Sequence, residues 1–150
     1  MSVCTFLAAD CPLPEHHPAR DYPLHIDLDR GVIDDGGAED NFHLYPFRDV
    51  SAYTDKACGM KLEWRYTEGR ALQLIAYIRR VLEQTDCVQL WRVWLQDRYD
   101  FEERPKIFRA SVPAAELTAA DLQELEELVI WEGADPRPRF YCLEIHKSNG

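Results

Sequence analysis

Basic charge is in short supply: 17 Lys and Arg stand against 27 Asp and Glu, for a formal net charge of −10. A surface of that sign repels a phosphate backbone, which argues against general nucleic-acid binding. Long apolar runs are missing as well. No stretch approaches the roughly 20 apolar residues of a bilayer span, because Arg79, Arg80 and Arg92 interrupt the best candidates. Glycine occurs 7 times, without G-x-x-x-x-G-K-[ST] or G-x-G-x-x-G, so no phosphate-cradling loop is present and no nucleotide cofactor is expected. There is no G-x-S-x-G elbow, and Ser2, Ser51, Ser111 and Ser148 lie outside any strand-turn-helix setting that would expose a nucleophile. The five cysteines, at 4, 11, 58, 87 and 142, are odd in number and form no C-x-x-C pair, so neither a disulfide framework nor a zinc ribbon follows. They read as reduced thiols. The first basic residue is Arg20, so the charged n-region of a secretory signal is absent, and both features point to the cytoplasm.

What is present is enough for a core. Of 150 residues 46% are hydrophobic, and 4 Trp, 7 Tyr and 6 Phe are among them, a density that disordered chains do not reach. One domain covering 1–150 is expected, with a loop-rich hairpin segment over 1–59 and a core over 60–146. The acidity is concentrated toward the ends. Residues 1–60 hold four basic against eleven acidic side chains, 61–115 ten against eight, and 116–150 three against eight.

In the first stretch, strands are expected near 2–8, 24–29, 31–34 and 42–47, separated by Pro, Gly and Asp. Leu24, Ile26 and Leu28 alternate with His25, Asp27 and Asp29, and Asp29-Arg30-Gly31 supplies a hairpin turn. Residues 34–41 form an exposed loop, since their four carboxylates could not be buried together. Beyond it, Met60, Leu62, Trp64 and Tyr66 alternate with Lys61, Glu63 and Arg65 as a strand. Thr67 then caps a helix over 68–84, with Ala71, Leu74, Ile75, Ile78 and Leu82 as its buried stripe and Arg70, Arg79, Arg80 and Glu83 outward. Residues 88–96 are apolar on both faces and belong between two layers, with 106–112 as a partner strand. Thr118 and Asp121 form a capping box and Leu117 and Leu122 a hydrophobic staple, which starts a second helix whose stripe reaches Trp131. Residues 140–146 are the last strand.

The fold class is therefore α+β. From residue 60 the order βαββαβ is that of a ferredoxin-like sandwich, an antiparallel sheet with two helices on one face, preceded by N-terminal β-hairpins. One detail conflicts: the second strand of that fold lies at a sheet edge, whereas 88–96 is apolar on both sides. Either the N-terminal hairpins cover it or the strand order differs.

Tyr53-Thr54-Asp55-Lys56, Leu62-Glu63-Trp64, Tyr66-Thr67-Glu68-Gly69-Arg70-Ala71 and Trp91-Arg92-Val93-Trp94-Leu95 resemble a group of small, uncharacterised bacterial proteins across most of the chain. The resemblance implies a bacterial cytoplasmic origin and brings no activity. In size and acidity the chain is also similar in character to the immunity proteins of bacterial toxin systems.

The leading functional expectation is an acidic binding protein without catalytic activity, an immunity-type inhibitor of a basic protein partner. Asp34, Asp35, Glu39 and Asp40 would attract the partner, and Tyr45, Tyr53 or Tyr99 would anchor it. No membrane or nucleic-acid partner is expected. One alternative is a metal-dependent hydrolase on His25, Asp27 and Asp29, whose period-2 spacing places them on one strand face. The other is a structural subunit of a homo-oligomer. A buried cysteine acting as a small apolar residue explains the thiols better than a nucleophile does, and the tryptophans read as structural.

Overall fold

Seven residues near the N-terminus organise the rest. Val3–Ala9 forms β1, and it is apolar on both sides: Leu7 and Ala9 are buried on one face, Cys4, Phe6 and Ala8 on the other. Such a strand needs a layer above and a layer below. The structure, a computed structural model that describes residues 3–17, 25–34, 42–94, 106–131, 133 and 138–147, places it inside a six-stranded sheet.

The other strands of that sheet are β4 (His43–Pro46), β5 (Cys58–Glu63), β6 (Cys87–Trp94), β7 (Lys106–Pro113) and β8 (Arg139–His146), in the order β4-β5-β1-β6-β8-β7. β2 (His25–Asp27) and β3 (Val32–Asp34) form a separate antiparallel hairpin. Gly31 in its turn has φ 63°, the left-handed region where a side chain is disfavoured. Every neighbouring pair in the large sheet is antiparallel except β7 and β8, which are parallel.

The α+β class holds, and the ferredoxin-like strand order does not appear. In that arrangement each βαβ unit is split by a strand of the other. Here β1 splits the first unit, pairing with both β5 and β6, while β7 and β8 of the second unit lie side by side. The sheet is mixed rather than antiparallel, and β1 and β4, from the stretch expected to be peripheral, are strands of it. This resolves the conflict over β6: flanked by β1 and β8, it is internal, as its two apolar faces require.

Both helices pack on one face. α1 (Glu68–Val81) begins at Thr67, whose side chain accepts from the Arg70 amide, and α2 (Ala119–Glu127) begins with the expected capping box of Thr118 and Asp121. Ala71, Leu74, Ile75, Ile78, Leu122 and Leu125 join Leu7, Leu44, Met60, Leu62, Val88, Leu90 and Ile145 in one cluster. Arg70, expected outside, is fully buried. It lies four residues before Leu74 on the buried stripe, and its Nη1 donates to the Arg65 carbonyl at 3.0 Å, so helical period prevails over residue type. Trp131 falls beyond α2 and packs edge-on against Trp94 at 5.9 Å.

The opposite face carries an aromatic layer. Trp91 lies parallel to Phe6 at 6.1 Å, and Phe6 in turn contacts Phe47 at 4.8 Å and Tyr53 at 5.6 Å. The segment that brings Phe47, Val50 and Tyr53 onto this face is a 3-10 turn, Arg48–Ala52, between β4 and β5. It sits so close to the sheet that a Cβ on Gly59 would lie 2.7 Å from the Cβ of Val50. Gly59→Ala should therefore cost about 1–3 kcal/mol by overpacking, and because Val50→Gly removes the clashing Cβ, the double variant should lose less than the sum of the two single variants. Urea unfolding of the single and double variants measures both; an unchanged midpoint for Gly59→Ala would contradict the packing.

Candidate functional site

The sheet extends past its helices on one side. β7 is the edge strand, with β8 as its one strand partner among the described residues, and six of its eight residues are exposed. Phe108 and Ala110 turn to the same face as the helices, since they pair with Tyr141 and Leu143 of β8, which pack on the helix-side core. Phe108 remains 44% exposed and Ile107 49%. Between β7 and α2 lies a groove of about 230 Å³. Its floor is Phe108, Ala110, Tyr141 and Leu143, and its far wall is Asp121, Glu124, Leu125 and Leu128. Those four positions are spaced i, i+3, i+4, i+7, one face of the helix.

The rings and backbone at the groove are held in place. Phe108 stacks on Tyr141 at 5.6 Å, the Tyr141 hydroxyl donates to the Val129 carbonyl at 2.8 Å, and the Arg139 amide donates to the Ile130 carbonyl at 2.7 Å. The Arg139 guanidinium lies over the Phe108 ring at 5.5 Å, so a cation closes one end. The helix wall is acidic. Glu126 is engaged by Arg92 at 3.6 Å and by the Thr5 hydroxyl at 3.0 Å, and Asp121 by the cap. Glu124 and Glu127 form no ion pair among the described residues. α2 has no basic residue in its last turn, and carboxylates there oppose the helix dipole, so this charge does not serve the stability of the helix.

All five cysteines are free thiols. Burial pushes the thiols of Cys4, Cys11, Cys87 and Cys142 up from their ordinary value, Cys142 to about 12, which keeps them protonated and poor as nucleophiles. Among the described residues, Cys87, Glu144 and His146 form a donor set that could hold a metal ion, on the sheet face away from the helices.

Of the residues singled out from sequence, the described ones stand on several different elements. Asp34 ends β3 opposite His25, while Asp35, Glu39, Asp40 and Tyr99 lie outside the described residues. Tyr45 is half-buried on β4, stacked on His43 at 5.3 Å. Tyr53 is occupied by the aromatic layer, against Phe6, Phe47 and Phe140. His25 and Asp27 belong to β2, which ends at Asp27, and Asp29 lies in the turn that follows. Sequence reading missed the groove because Phe108 and Tyr141 look like ordinary strand residues; only the parallel pairing of β7 with β8 brings them together.

No family model, curated protein or solved structure matches this chain. No helix among the described residues is long and apolar enough to cross a membrane.

Burial also gives the thiols a signature in stability. The Cys4 thiol is pushed up from 9.0 to about 11, mainly by burial, with Lys61 opposing and Glu63 adding. The folded chain keeps this proton where the unfolded chain loses it. Stability should therefore be intact below pH 9 and fall as pH rises from 9.0 to about 11. Urea midpoints on either side of that window should drop less in Cys4→Ala than in the parent; an equal drop would contradict the assignment.

Proposed function

We propose that this chain works by binding, and that the groove between β7 and α2 receives an extended, basic and apolar segment of a partner protein. The observation that carries the reading is an open sheet edge beside an apolar floor, walled by α2, whose Glu124 and Glu127 have no cationic partner among the described residues. A strand added along β7 would satisfy its outward backbone groups, place alternate apolar side chains over Phe108 and Ala110, and bring basic side chains to Asp121 and Glu124. Of the two basic residues of β7, Arg109 turns to the other face, where Glu144 accepts from it at 3.2 Å, and Lys106 stands at the start of the strand, outside the groove lining.

The same features argue against self-association by this edge. A twofold antiparallel pairing would bring together two copies of a strand whose charged residues, Lys106 and Arg109, are both basic, and Pro113 removes a donor. Support for a cytoplasmic protein comes from the five free thiols. Together with the resemblance to small bacterial proteins, the concrete form of the proposal is an immunity-type inhibitor that holds a basic protein by shape and negative potential, with no bond made or broken.

Two strand-forming peptides test the reading, one alternating valine with lysine and its twin alternating valine with glutamate. The lysine peptide should bind, should weaken as salt rises, and should shift amide resonances of β7 and α2 first. Glu124→Lys should weaken it by about tenfold, near 1.4 kcal/mol. Equal binding of the glutamate peptide, or no effect of Glu124→Lys, would overturn the proposal.

A further inference from the structure

We propose that Cys87, Glu144 and His146 form a site for a zinc-type divalent cation on the sheet face opposite the helices and the groove. The register creates the convergence. Cys87 of β6 lies directly across from His146 of β8, and Gln89 across from Glu144, so Cys87, Glu144 and His146 project from the same side of one antiparallel pair. Directly opposed residues have Cβ atoms about 4.5–5.5 Å apart, which is close enough for a thiol and an imidazole to meet.

The donor atoms all lie within 4.8 Å of one another, with Cys87 Sγ at 4.0 Å and His146 Nε2 at 3.9 Å from the same oxygen, Glu144 Oε2. Tetrahedral zinc, with bonds of about 2.0–2.3 Å, holds its donors about 3.3–3.8 Å apart. Small side-chain rotations therefore complete the geometry. The carboxylate is already oriented for it: Arg109 donates to Oε1 at 3.2 Å and leaves Oε2 toward the other two donors, as an outer hydrogen bond does in metal centres.

The donor types decide among metals. One sulfur, one nitrogen and one carboxylate oxygen suit a borderline ion such as Zn²⁺, whereas Ca²⁺ and Mg²⁺ take oxygen alone. Binding is Cys87–SH plus M²⁺ giving a thiolate–metal bond and one proton released to water. Three protein donors leave the fourth position to a water molecule, and half-exposed His146 keeps it open to solvent.

Co²⁺ reports a thiolate ligand by charge-transfer absorption, so the test is a Co²⁺ titration of the reduced full-length chain, followed by Zn²⁺. One equivalent should bring up the band and Zn²⁺ should bleach it. Cys87→Ser should abolish the band, Cys58→Ser should keep it, and His146→Ala should lower affinity by at least about tenfold. Zn²⁺ should also raise the melting temperature of the parent and not of His146→Ala, a surface variant that does not depend on a core residue. No band at one equivalent, or a band that survives in Cys87→Ser, would overturn the site; neither result bears on peptide binding at β7.

Discussion

The two α-helices are too narrow for the sheet they must cover. Six strands about 4.8 Å apart make a surface roughly 29 Å wide, and two helices packed side by side, about 10 Å each, shield roughly 20 Å of it. The shortfall has to appear at an edge. On the β4 side it is made up by residues 11–17: His16 forms a bridge with Leu44 and stacks on Phe42 at 4.1 Å, and the Tyr77 hydroxyl of α1 donates to the Pro14 carbonyl. On the β7 side nothing among the described residues does the same, and Phe108 and Ala110 are left beside a gap.

The insertion of β1 is what makes the sheet so wide. Without that strand β5 and β6 would be neighbours, and the helices would reach one strand further. With it, the sheet gains a central strand buried on both faces, and the second face needs its own cover. The Arg48–Ala52 turn and the rings of Phe47 and Tyr53 provide it on Phe6 and Trp91. Gln89 then enters the layer as a polar residue whose oxygen accepts from Trp91 Nε1 at 2.9 Å. Past it, toward the β8 terminus, the layer turns polar, and there Cys87, Glu144 and His146 meet. Groove and donor cluster are thus two outcomes of one layout, on opposite faces.

The local structure was largely legible from sequence because it follows from periodicity and capping, which are short-range. The period-2 pattern of Met60 and Leu62, the stripe of Leu74, Ile75 and Ile78, and the box of Thr118 and Asp121 each state their element within a few residues. Strand order was not legible, since any apolar strand satisfies many neighbours; only the two-faced burial expected for 88–96 hinted that the ferredoxin-like order would fail. The interaction site was not legible for a related reason. Phe108 and Glu124 are far apart in the chain, and each alone looks like an ordinary strand aromatic and an ordinary solvated acid. The proposed metal donors, Cys87 against Glu144 and His146, are joined by a register that no single-chain pattern encodes.

The proposed binding function rests on this layout. The thiols with a resolved shift are held protonated by burial, while β7, mostly exposed, lies beside a helix whose Glu124 and Glu127 form no ion pair among the described residues. The claim beneath it is that β7 is an open edge in solution. Amide hydrogen exchange along 106–113 in the free chain tests that claim most directly. The account predicts alternation, with amides that pair to β8 protected and every second, outward-facing amide exchanging at near-solvent rates. Uniform protection along β7 would mean that the edge is covered, and would contradict it.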